Sequence, residues 1–328
     1  MNGVRPSFLA IAPGVLCLVI VAAPRASAAP QSQRRDAAAE KDLGSWADGQ
    51  LASLTEQAQQ GKAAAQFELG MMYFTGNQVP RDFVEAVSWW QKAAKQDNTF
   101  AQLNLAVMYH NGIGVPRDLV QAAEWYRKAA EHGDDTAQLH LGEALEDGAG
   151  VAQDSAQALQ WWQKSAEQGN ARAQNYLGQA YETGHGVARD FARAVEWFKK
   201  SAAQGNAVAQ VNLGFMYRQG EGVPIDDAQA VEWWLKAAEQ GNASGQYNLA
   251  VSYFNGQGVM KDDVQAYQWV EIAVANSSGE IQTRYARLRD LIVMRLTPDV
   301  VAEAQKRARE LQDRLERRRL EEFERRKL

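Results

Sequence analysis

The sequence predicts an all-α repeat protein made of helix–loop–helix units. Three observations support this fold class: a period of 36 residues, two stretches of helix-forming residues in each period, and capping residues at fixed places between them. Such units stack because a single helix pair cannot bury its apolar face alone. The residues that recur every 36 positions are Gln66, Gln102, Gln138, Gln174, Gln210 and Gln246; Asp82, Asp118, Asp154, Asp190, Asp226 and Asp262; and Trp89, Trp125, Trp161, Trp197, Trp233 and Trp269.

Residues 1–28 are predicted to be an export signal. Arg5 precedes an apolar stretch from Phe8 to Ala23, and Ala26-Ser27-Ala28 provides the small residues of a cleavage site. An uncleaved anchor is the alternative, but the apolar stretch is shorter than the roughly 20 residues of a spanning helix. We therefore expect cleavage near Ala28, a periplasmic or secreted chain without a transmembrane segment, and a flexible segment over 29–43.

Composition and charge exclude several classes of function. With 23% charged and 46% hydrophobic residues, the 328-residue chain is expected to fold. Its net charge of −5 becomes −7 without residues 1–28, which argues against a nucleic-acid partner. The only cysteine, Cys17, lies in the export signal, so the processed chain has no disulfide, cysteine nucleophile or thiolate metal site.

Each unit is predicted to contain a helix A, a loop and a helix B. The recurring Asp is suited to cap helix B, and Glu or Gln three residues later completes a capping box, except at Arg193. Glycines such as Gly133 are expected to end helix B, with Asp97 and Ser277 as departures. A half-copy upstream predicts an N-terminal capping helix over 44–63. The predicted repeats are 64–99, 100–135, 136–171, 172–207, 208–243 and 244–279.

The apolar stripes of helices A and B are expected to face each other inside each unit. Below, the Trp89 position means Trp89 and its equivalents in the other repeats, and other positions are named in the same way. Small residues at the Gly70 position permit close helix approach. We predict that the Trp89 position forms the core rather than a ligand cage. The following aromatics, expected to pack between repeats, are Trp90, Tyr126, Trp162, Phe198 and Trp234.

The repeat resembles the Sel-one-like repeat (SLR) family over 216 of the 328 residues. The shared pattern is A-x-A-Q-x-x-L-G-x-x-Y-x-x-G-x-G-V-x-x-D-x-x-x-A-x-x-W-x-x-K-A-A-E-Q-G-N, and residues 207–242 match it. The resemblance implies hairpins related to tetratricopeptide repeats, a right-handed α-solenoid, and a mostly non-catalytic role as a scaffold for other proteins. Departures include Gln78, Leu145 and Ser244. Members for which β-lactam binding or hydrolysis has been proposed have cysteine pairs, which the processed chain lacks.

After the last repeat, residues 280–315 are predicted to form C-terminal capping helices. Thr297 and Pro298 are suited to start the final, long helix. Residues 316–328 form a charged helical tail, which we interpret as solvated or frayed. A dimerising or partner-binding segment and contact with anionic lipid headgroups are the alternatives. The predicted apolar stripe of the final helix is Val300, Ala304, Ala308, Leu311 and Leu315.

No sequence motif points to catalysis, and we predict no catalytic residue and no cofactor. One group could in principle bind a divalent metal: His140, Glu143 and Asp147 on a single helix A, with His110 on the preceding one. An ordinary polar face of the repeat array explains the same residues, and we expect no metal site.

Binding is expected at positions that differ between repeats, because the recurring residues serve packing. The Met71 and Phe74 positions are predicted to be exposed on helix A, and the Phe67 position is expected to pack between repeats. This face is apolar at both ends and acidic in the middle, which suits an extended peptide with apolar anchors and a basic centre. The predicted partner-binding residues are Met71, Phe74, Val107, His110, Glu143, Glu146, Gln179, Glu182, Phe215, Arg218, Val251 and Phe254.

The sequence therefore predicts a non-catalytic, exported scaffold that binds a protein or an extended peptide through helix A. One alternative is a binder or hydrolase of cell-wall material or β-lactams. Another is an adaptor that self-associates through its C-terminal helix.

Overall fold

The computed structural model describes residues 49–327, and these are all-α: fifteen helices and no strand. They belong to two compact units, an N-terminal unit of residues 49–168 and a C-terminal unit of residues 169–327. The predicted export signal, the segment 29–43 and the first five residues of the predicted N-terminal helix lie outside the described residues. Tandem hairpins of this kind form an α-solenoid, as predicted.

Helices A and B alternate along both units. The N-terminal unit contains α1 (49–59), α2 (Ala63–Thr75), α3 (Phe83–Ala94), α4 (Thr99–Asn111), α5 (Leu119–Glu131), α6 (Asp135–Asp147) and α7 (Ser155–Glu167). The C-terminal unit contains α8 (Ala171–Thr183), α9 (Phe191–Ala203), α10 (Ala207–Gln219), α11 (Asp227–Glu239), α12 (Ala243–Asn255), α13 (Asp263–Ala275), α14 (Gly279–Val293) and α15 (Pro298–Lys327).

Side-chain caps fix the starts of both kinds of helix. Asp82 accepts hydrogen bonds from the backbone amides of Val84 and Glu85, and the equivalent aspartates cap the other helices B, as predicted. Helix A has its own cap, which the sequence interpretation missed: the Asn98 side chain accepts from the amide of Ala101, and its equivalents do the same from the second to the sixth repeat. Four orphan amides at each helix start make such acceptors necessary.

Within each unit, the recurring glutamine links a repeat to the helix before it. Gln102 Nε2 donates to the carbonyl of Ala94, 3.2 Å away, and its Oε1 lies 3.1 Å from His132 Nδ1 at the end of its own helix B. Gln210 makes the same pair of bonds with Ala202 and Gln240 in the C-terminal unit. The side chain is buried and satisfies backbone and side-chain groups at once, which explains why it recurs.

The aromatic residue that fills each hairpin is the one after the predicted tryptophan. At the Trp90 position, every aromatic is almost completely buried, whereas Trp89, Trp161, Trp197 and Trp233 are half-buried and only Trp125 and Trp269 are buried. The two predicted roles are therefore exchanged in most repeats. The reason lies on helix A: Gly70 leaves room for the Trp90 ring, whose Nε1 donates to the Phe67 carbonyl at 3.2 Å.

Residue sizes at these two facing positions are matched. A Cβ atom on Gly70 would lie 2.5 Å from both Cδ1 and Nε1 of Trp90, closer than van der Waals contact allows. Tryptophan occurs at the Trp90 position only opposite glycine, and the two alanines face Tyr126 and Val270. The facing pairs are Gly70 with Trp90, Ala106 with Tyr126, Gly142 with Trp162, Gly178 with Phe198, Gly214 with Trp234 and Ala250 with Val270.

The half-buried tryptophans are covered by lysines of the same helix. Lys92 Nζ lies 3.7 Å from the Trp89 ring centroid, and the next four repeats repeat this contact at 3.8–4.0 Å. In the sixth repeat Ile272 stands where the others have lysine, and it is buried in one apolar cluster with residues of α15. The outer face of α13 is thus adapted to hold the final helix.

The C-terminal helices close the array differently from a seventh hairpin. α14 takes the place of a helix A, and its Gln282 donates to the carbonyl of Val274 as the recurring glutamine does. α15 begins at Pro298, as predicted, but packs on α13. Ala304, Ala308 and Leu315 of its predicted stripe are buried, whereas Val300 is exposed and the neighbouring Val301 packs instead. This helix continues unbroken to Lys327, through the predicted charged tail.

Candidate protein-binding surface

The Phe67 and Met71 positions on helix A leave little surface for a partner. All six residues at the Phe67 position are buried, in agreement with the expected packing between repeats. At the Met71 position the predicted exposure is wrong for most repeats: Val107 and Phe215 are 2% exposed, Val251 is 1% exposed, and Gln179 is also buried. Phe215, for example, packs against the Trp234 ring of its own helix B, with the ring centroids 5.4 Å apart. Only Met71 and Glu143 keep part of their surface in solvent.

The Phe74 position is the one predicted row that stays partly exposed in every repeat. We call these residues the variable row: Phe74, His110 and Glu146 in the N-terminal unit, and Glu182, Arg218 and Phe254 in the C-terminal unit. They lie in the last turns of helix A, next to the hairpin loops. Their chemistry changes from repeat to repeat, in contrast to the constant residues around them.

Phe74 forms the apolar part of this row in the N-terminal unit. Its ring lies 5.3 Å from that of Phe83 and 5.6 Å from that of Trp90, and the side chain is partly exposed. Met71, one turn earlier, contacts Asn104 of the next helix A through its sulfur, 3.7 Å from Nδ2. Together these side chains form a small apolar surface with a flexible methionine at its edge.

Histidines and carboxylates follow on the next two helices A. His140 Nδ1 lies 2.7 Å from Glu143 Oε2, and both side chains are largely buried. The His140 ring also packs against Tyr126, with centroids 5.2 Å apart. Burial lowers the pKa of His110, and the nearby His140 lowers it further. The His110 imidazole is therefore neutral at pH 7.

The carboxylates at the end of α6 repel one another. Burial raises the pKa of Asp147, and the neighbouring Glu143 and Glu146 raise it further. The helix A surface of the N-terminal unit thus changes from apolar at Phe74 to negative at Glu146, as the sequence predicts for this half of the row. A cation would be favoured at the negative end.

In the C-terminal unit the variable row is occupied by contacts of its own chain. Arg218 hydrogen-bonds Gln257 in the next loop, and its guanidinium lies 5.7 Å from the Trp234 ring. Phe254 lies under the guanidinium of Arg295, 4.0 Å from Cζ. Arg295 comes from the turn between α14 and α15, and no repeat pattern predicts its position. A partner would have to displace Arg295 to reach Phe254.

The possible metal ligands do not converge. Within residues 49–327, no group of three or more His, Cys, Asp or Glu side chains could hold a metal ion. His140 is bonded to Glu143 instead, and Asp147 lies at the exposed end of the helix. None of the helices in the described part of the chain combines the length and apolar character needed to cross a bilayer.

Comparison with known proteins agrees with the repeat pattern. The family model of the Sel1 repeat matches six times, at residues 63–98, 99–134, 136–170, 171–206, 207–242 and 243–278. No protein with curated annotation matches the chain.

Solved structures of Sel1 repeat proteins are similar to the chain. A Sel1 repeat protein from Oxalobacter formigenes is 34% identical, with 67% of this chain and 87% of that one covered and a TM-score of 0.60. A protective antigen from uropathogenic Escherichia coli strains, which displays an SLR fold, is 32% identical over 80% of this chain and 71% of that one, with a TM-score of 0.37. The six repeat matches and the similarity to the Oxalobacter protein show that the chain belongs to the Sel1 repeat family.

Proposed function

We propose that this protein is an exported, non-catalytic scaffold that binds another polypeptide through the variable row of its N-terminal unit. Sel1 repeat proteins are generally protein-interaction scaffolds, and their fold is typically non-catalytic. The observation that carries the proposal is the variable row itself. It is partly exposed in each repeat, whereas the Phe67 position is buried throughout and only Met71 and Glu143 are partly exposed at the Met71 position.

The chemistry of the row suggests the kind of segment that it binds. Phe74 and Met71 offer an apolar contact, and Glu143 and Glu146 lie two repeats further along. An extended peptide advances about 3.3 Å per residue, so roughly six residues span the 20 Å between helices A two repeats apart, at about 10 Å per repeat. We propose a segment with an apolar or aromatic anchor and a lysine or arginine about six residues away.

Export follows from residues 1–28, which lie outside the described residues. Their basic start, apolar stretch and Ala26-Ser27-Ala28 support cleavage into the periplasm or beyond. Expression of the full chain in its host, followed by fractionation and N-terminal sequencing, tests this part. A processed chain that begins at Ala29 is expected, and an unprocessed chain in the cytosolic fraction contradicts export.

Partner capture with matched variants tests the surface. Tagged protein comprising residues 29–328 is incubated with an envelope extract, and the retained proteins are identified and then purified for affinity measurement. Phe74→Ala and Glu146→Lys are each expected to weaken the interaction at least about tenfold. Both changes leave the recurring core residues intact.

Val84→Ala is the matched control, because Val84 is an exposed apolar residue on helix B of the same first repeat. This variant is expected to bind like the unmodified protein. If the purified partner binds Phe74→Ala, Glu146→Lys and the control equally, the variable row is not the binding surface. Circular dichroism of each variant checks that the helices are retained.

A further inference from the structure

The loop edge of the C-terminal unit carries a row of exposed apolar residues. Ile225, Met260 and Met294 are 70%, 89% and 81% exposed. They lie in three successive turns, after α10, α12 and α14, at neighbouring positions of the repeat: Met260 aligns with Pro224, and Met294 aligns with Gly258. Single exposed apolar residues are common on protein surfaces, but a series of them on successive turns is typical of interaction sites. We call these three residues the loop row.

These residues replace small or polar ones at equivalent positions. Where Ile225 stands, four other repeats have Arg or Gln and the sixth has Lys261. Where Met260 stands, the other repeats have only Pro or Ala. The apolar character is therefore a property of these loops and not of the repeat. The equivalents of Ile225 are Arg81, Arg117, Gln153, Arg189 and Lys261, and those of Met260 are Pro80, Pro116, Ala152, Ala188 and Pro224.

Direct contacts hold the three turns in register. Gly258 of one loop abuts the carbonyl of Asp227, which follows the loop before it. At the next step, Arg295 beside Met294 lies 3.5 Å from Asp263 Oδ1 and stacks on Phe254. These contacts fix the positions of the three turns, and each turn carries one residue of the loop row.

The spacing of the loop row fits one face of an α-helix. Helices that touch are about 8–10 Å apart, so successive loops repeat at about this distance. An α-helix rises 1.5 Å per residue, so side chains seven residues apart lie about 10.5 Å apart on nearly the same face. Three apolar side chains at this spacing can each meet one member of the row.

The charge around the loop row determines which residues are favoured beside the apolar positions of such a helix. Carboxylates outnumber cations among the neighbouring side chains, with six of the former and three of the latter. A partner with lysine or arginine beside its apolar positions is therefore favoured, and a phospholipid surface with anionic headgroups is not. The carboxylates are Glu221, Asp226, Asp227, Asp262, Asp263 and Asp299, and the cations are Arg218, Lys261 and Arg295.

We propose that the loop row binds a basic amphipathic helix of a partner protein, with apolar side chains at intervals of seven residues. This surface is separate from the variable row of the N-terminal unit, and either site can exist without the other.

Designed peptides test the proposal on the processed full chain, residues 29–328. The probe is an alanine-based helix of about 21 residues, with three leucines seven apart and lysines beside them. Its isomer has the same composition with the leucines four apart, which keeps one apolar face but shortens the spacing to about 6 Å. Fluorescence anisotropy is expected to show at least about tenfold tighter binding of the first peptide. Replacing its lysines by glutamates should abolish binding.

The loop row can be removed by introducing residues that occur at the equivalent positions of other repeats. The variant Ile225→Gln/Met260→Ala/Met294→Gln is expected to lose at least about tenfold in affinity for the probe. Should this variant fail to melt cooperatively like the unmodified protein, Met260→Ala alone serves, since this side chain is almost fully exposed. Val84→Ala/Val120→Ala removes exposed apolar residues of the N-terminal unit and is expected to bind normally.

Several results would overturn the proposal. They are the absence of probe binding, equal affinity for the two leucine spacings, and undiminished binding by the triple variant. Tighter binding of a proline-containing, extended peptide with leucine at every third residue would overturn the assignment of a helix. Phe74→Ala is expected to bind the probe normally, so failure of the variable row and failure of the loop row can be told apart.

Discussion

Gly70→Ala tests whether the glycine of helix A decides which aromatic residue enters the core. The added Cβ would lie 2.5 Å from two atoms of the Trp90 ring, so either the indole or α2 has to move. Forcing an extra methyl group into a packed core costs about 1–3 kcal/mol. Moving the indole also weakens its hydrogen bond to the Phe67 carbonyl, worth about 1 kcal/mol.

Helix propensity acts in the opposite direction. Alanine is favoured over glycine inside a helix by about 1 kcal/mol. The expected net loss in the free energy of unfolding is therefore about 1–3 kcal/mol. Because stability in a repeat array is largely local, the loss should appear first in the hairpin of α2 and α3.

A second substitution makes the test specific. Trp90→Tyr combined with Gly70→Ala reproduces the alanine–tyrosine pair of the second repeat, Ala106 and Tyr126. In a double-mutant cycle, the combined loss is expected to be at least about 1 kcal/mol smaller than the sum of the two single losses. Glu68→Ala, on the exposed side of the same helix, is the control and should be nearly neutral.

Urea unfolding followed by circular dichroism gives the free energies, and hydrogen exchange locates the change. If Gly70→Ala unfolds like the unmodified protein and the amides of α2 remain equally protected, the size match has no energetic role. If the two single losses simply add, the residues are not coupled and the same reasoning fails.

Further predictions concern the glutamine link, the ionisable residues and the final helix. Gln210→Ala leaves the buried carbonyl of Ala202 without its donor, so urea unfolding should show a loss of about 1–3 kcal/mol. An unchanged midpoint contradicts the role of the link. The lowered pKa of His110 means that the unfolded chain takes up this proton first as the pH falls, so stability should decrease below about pH 6.5. Comparing unfolding at pH 5.5 and 7.5 should show a smaller decrease in His110→Gln. Because burial and neighbouring carboxylates raise the pKa of Asp147, Asp147→Asn should stabilise the chain by a few tenths of a kcal/mol at pH 7, and not at pH 3. Leu315→Ala should loosen α15 and increase hydrogen exchange in it, whereas Leu320→Ala, exposed on the same helix, should not.

Features set by local chemistry could be predicted from the sequence. The helix boundaries follow from Asp82, Gly133 and their equivalents, because capping and left-handed backbone depend on a few adjacent residues. The start of α15 at Pro298 follows for the same reason. Periodicity also identified the helix pairs, since the apolar positions of both helices recur without interruption.

Features set by contacts between helices could not be predicted. Trp89 and Trp90 both border the apolar stripe of helix B, and only the space left by Gly70 decides between them. Variation at the Met71 position predicts exposure, but packing buries most of its members, as the contact of Phe215 with Trp234 shows. Arg295 over Phe254 depends on how the turn after α14 folds back, which no equivalent residue in the repeats reveals.

Within each unit, hairpin loops contact the preceding helix B at Gly114, Gly150, Gly222 and Gly258, and this contact has a consequence for the length of the repeat. A side chain on Gly114 or Gly222 would overlap the first carbonyl of that helix, so the backbone itself forms the contact. Most surface loops tolerate insertions. Here an extra residue would break the contact of the loop with the preceding helix B and separate two hairpins. The loop therefore acts as a spacer of fixed size, and the six copies all have the same number of residues.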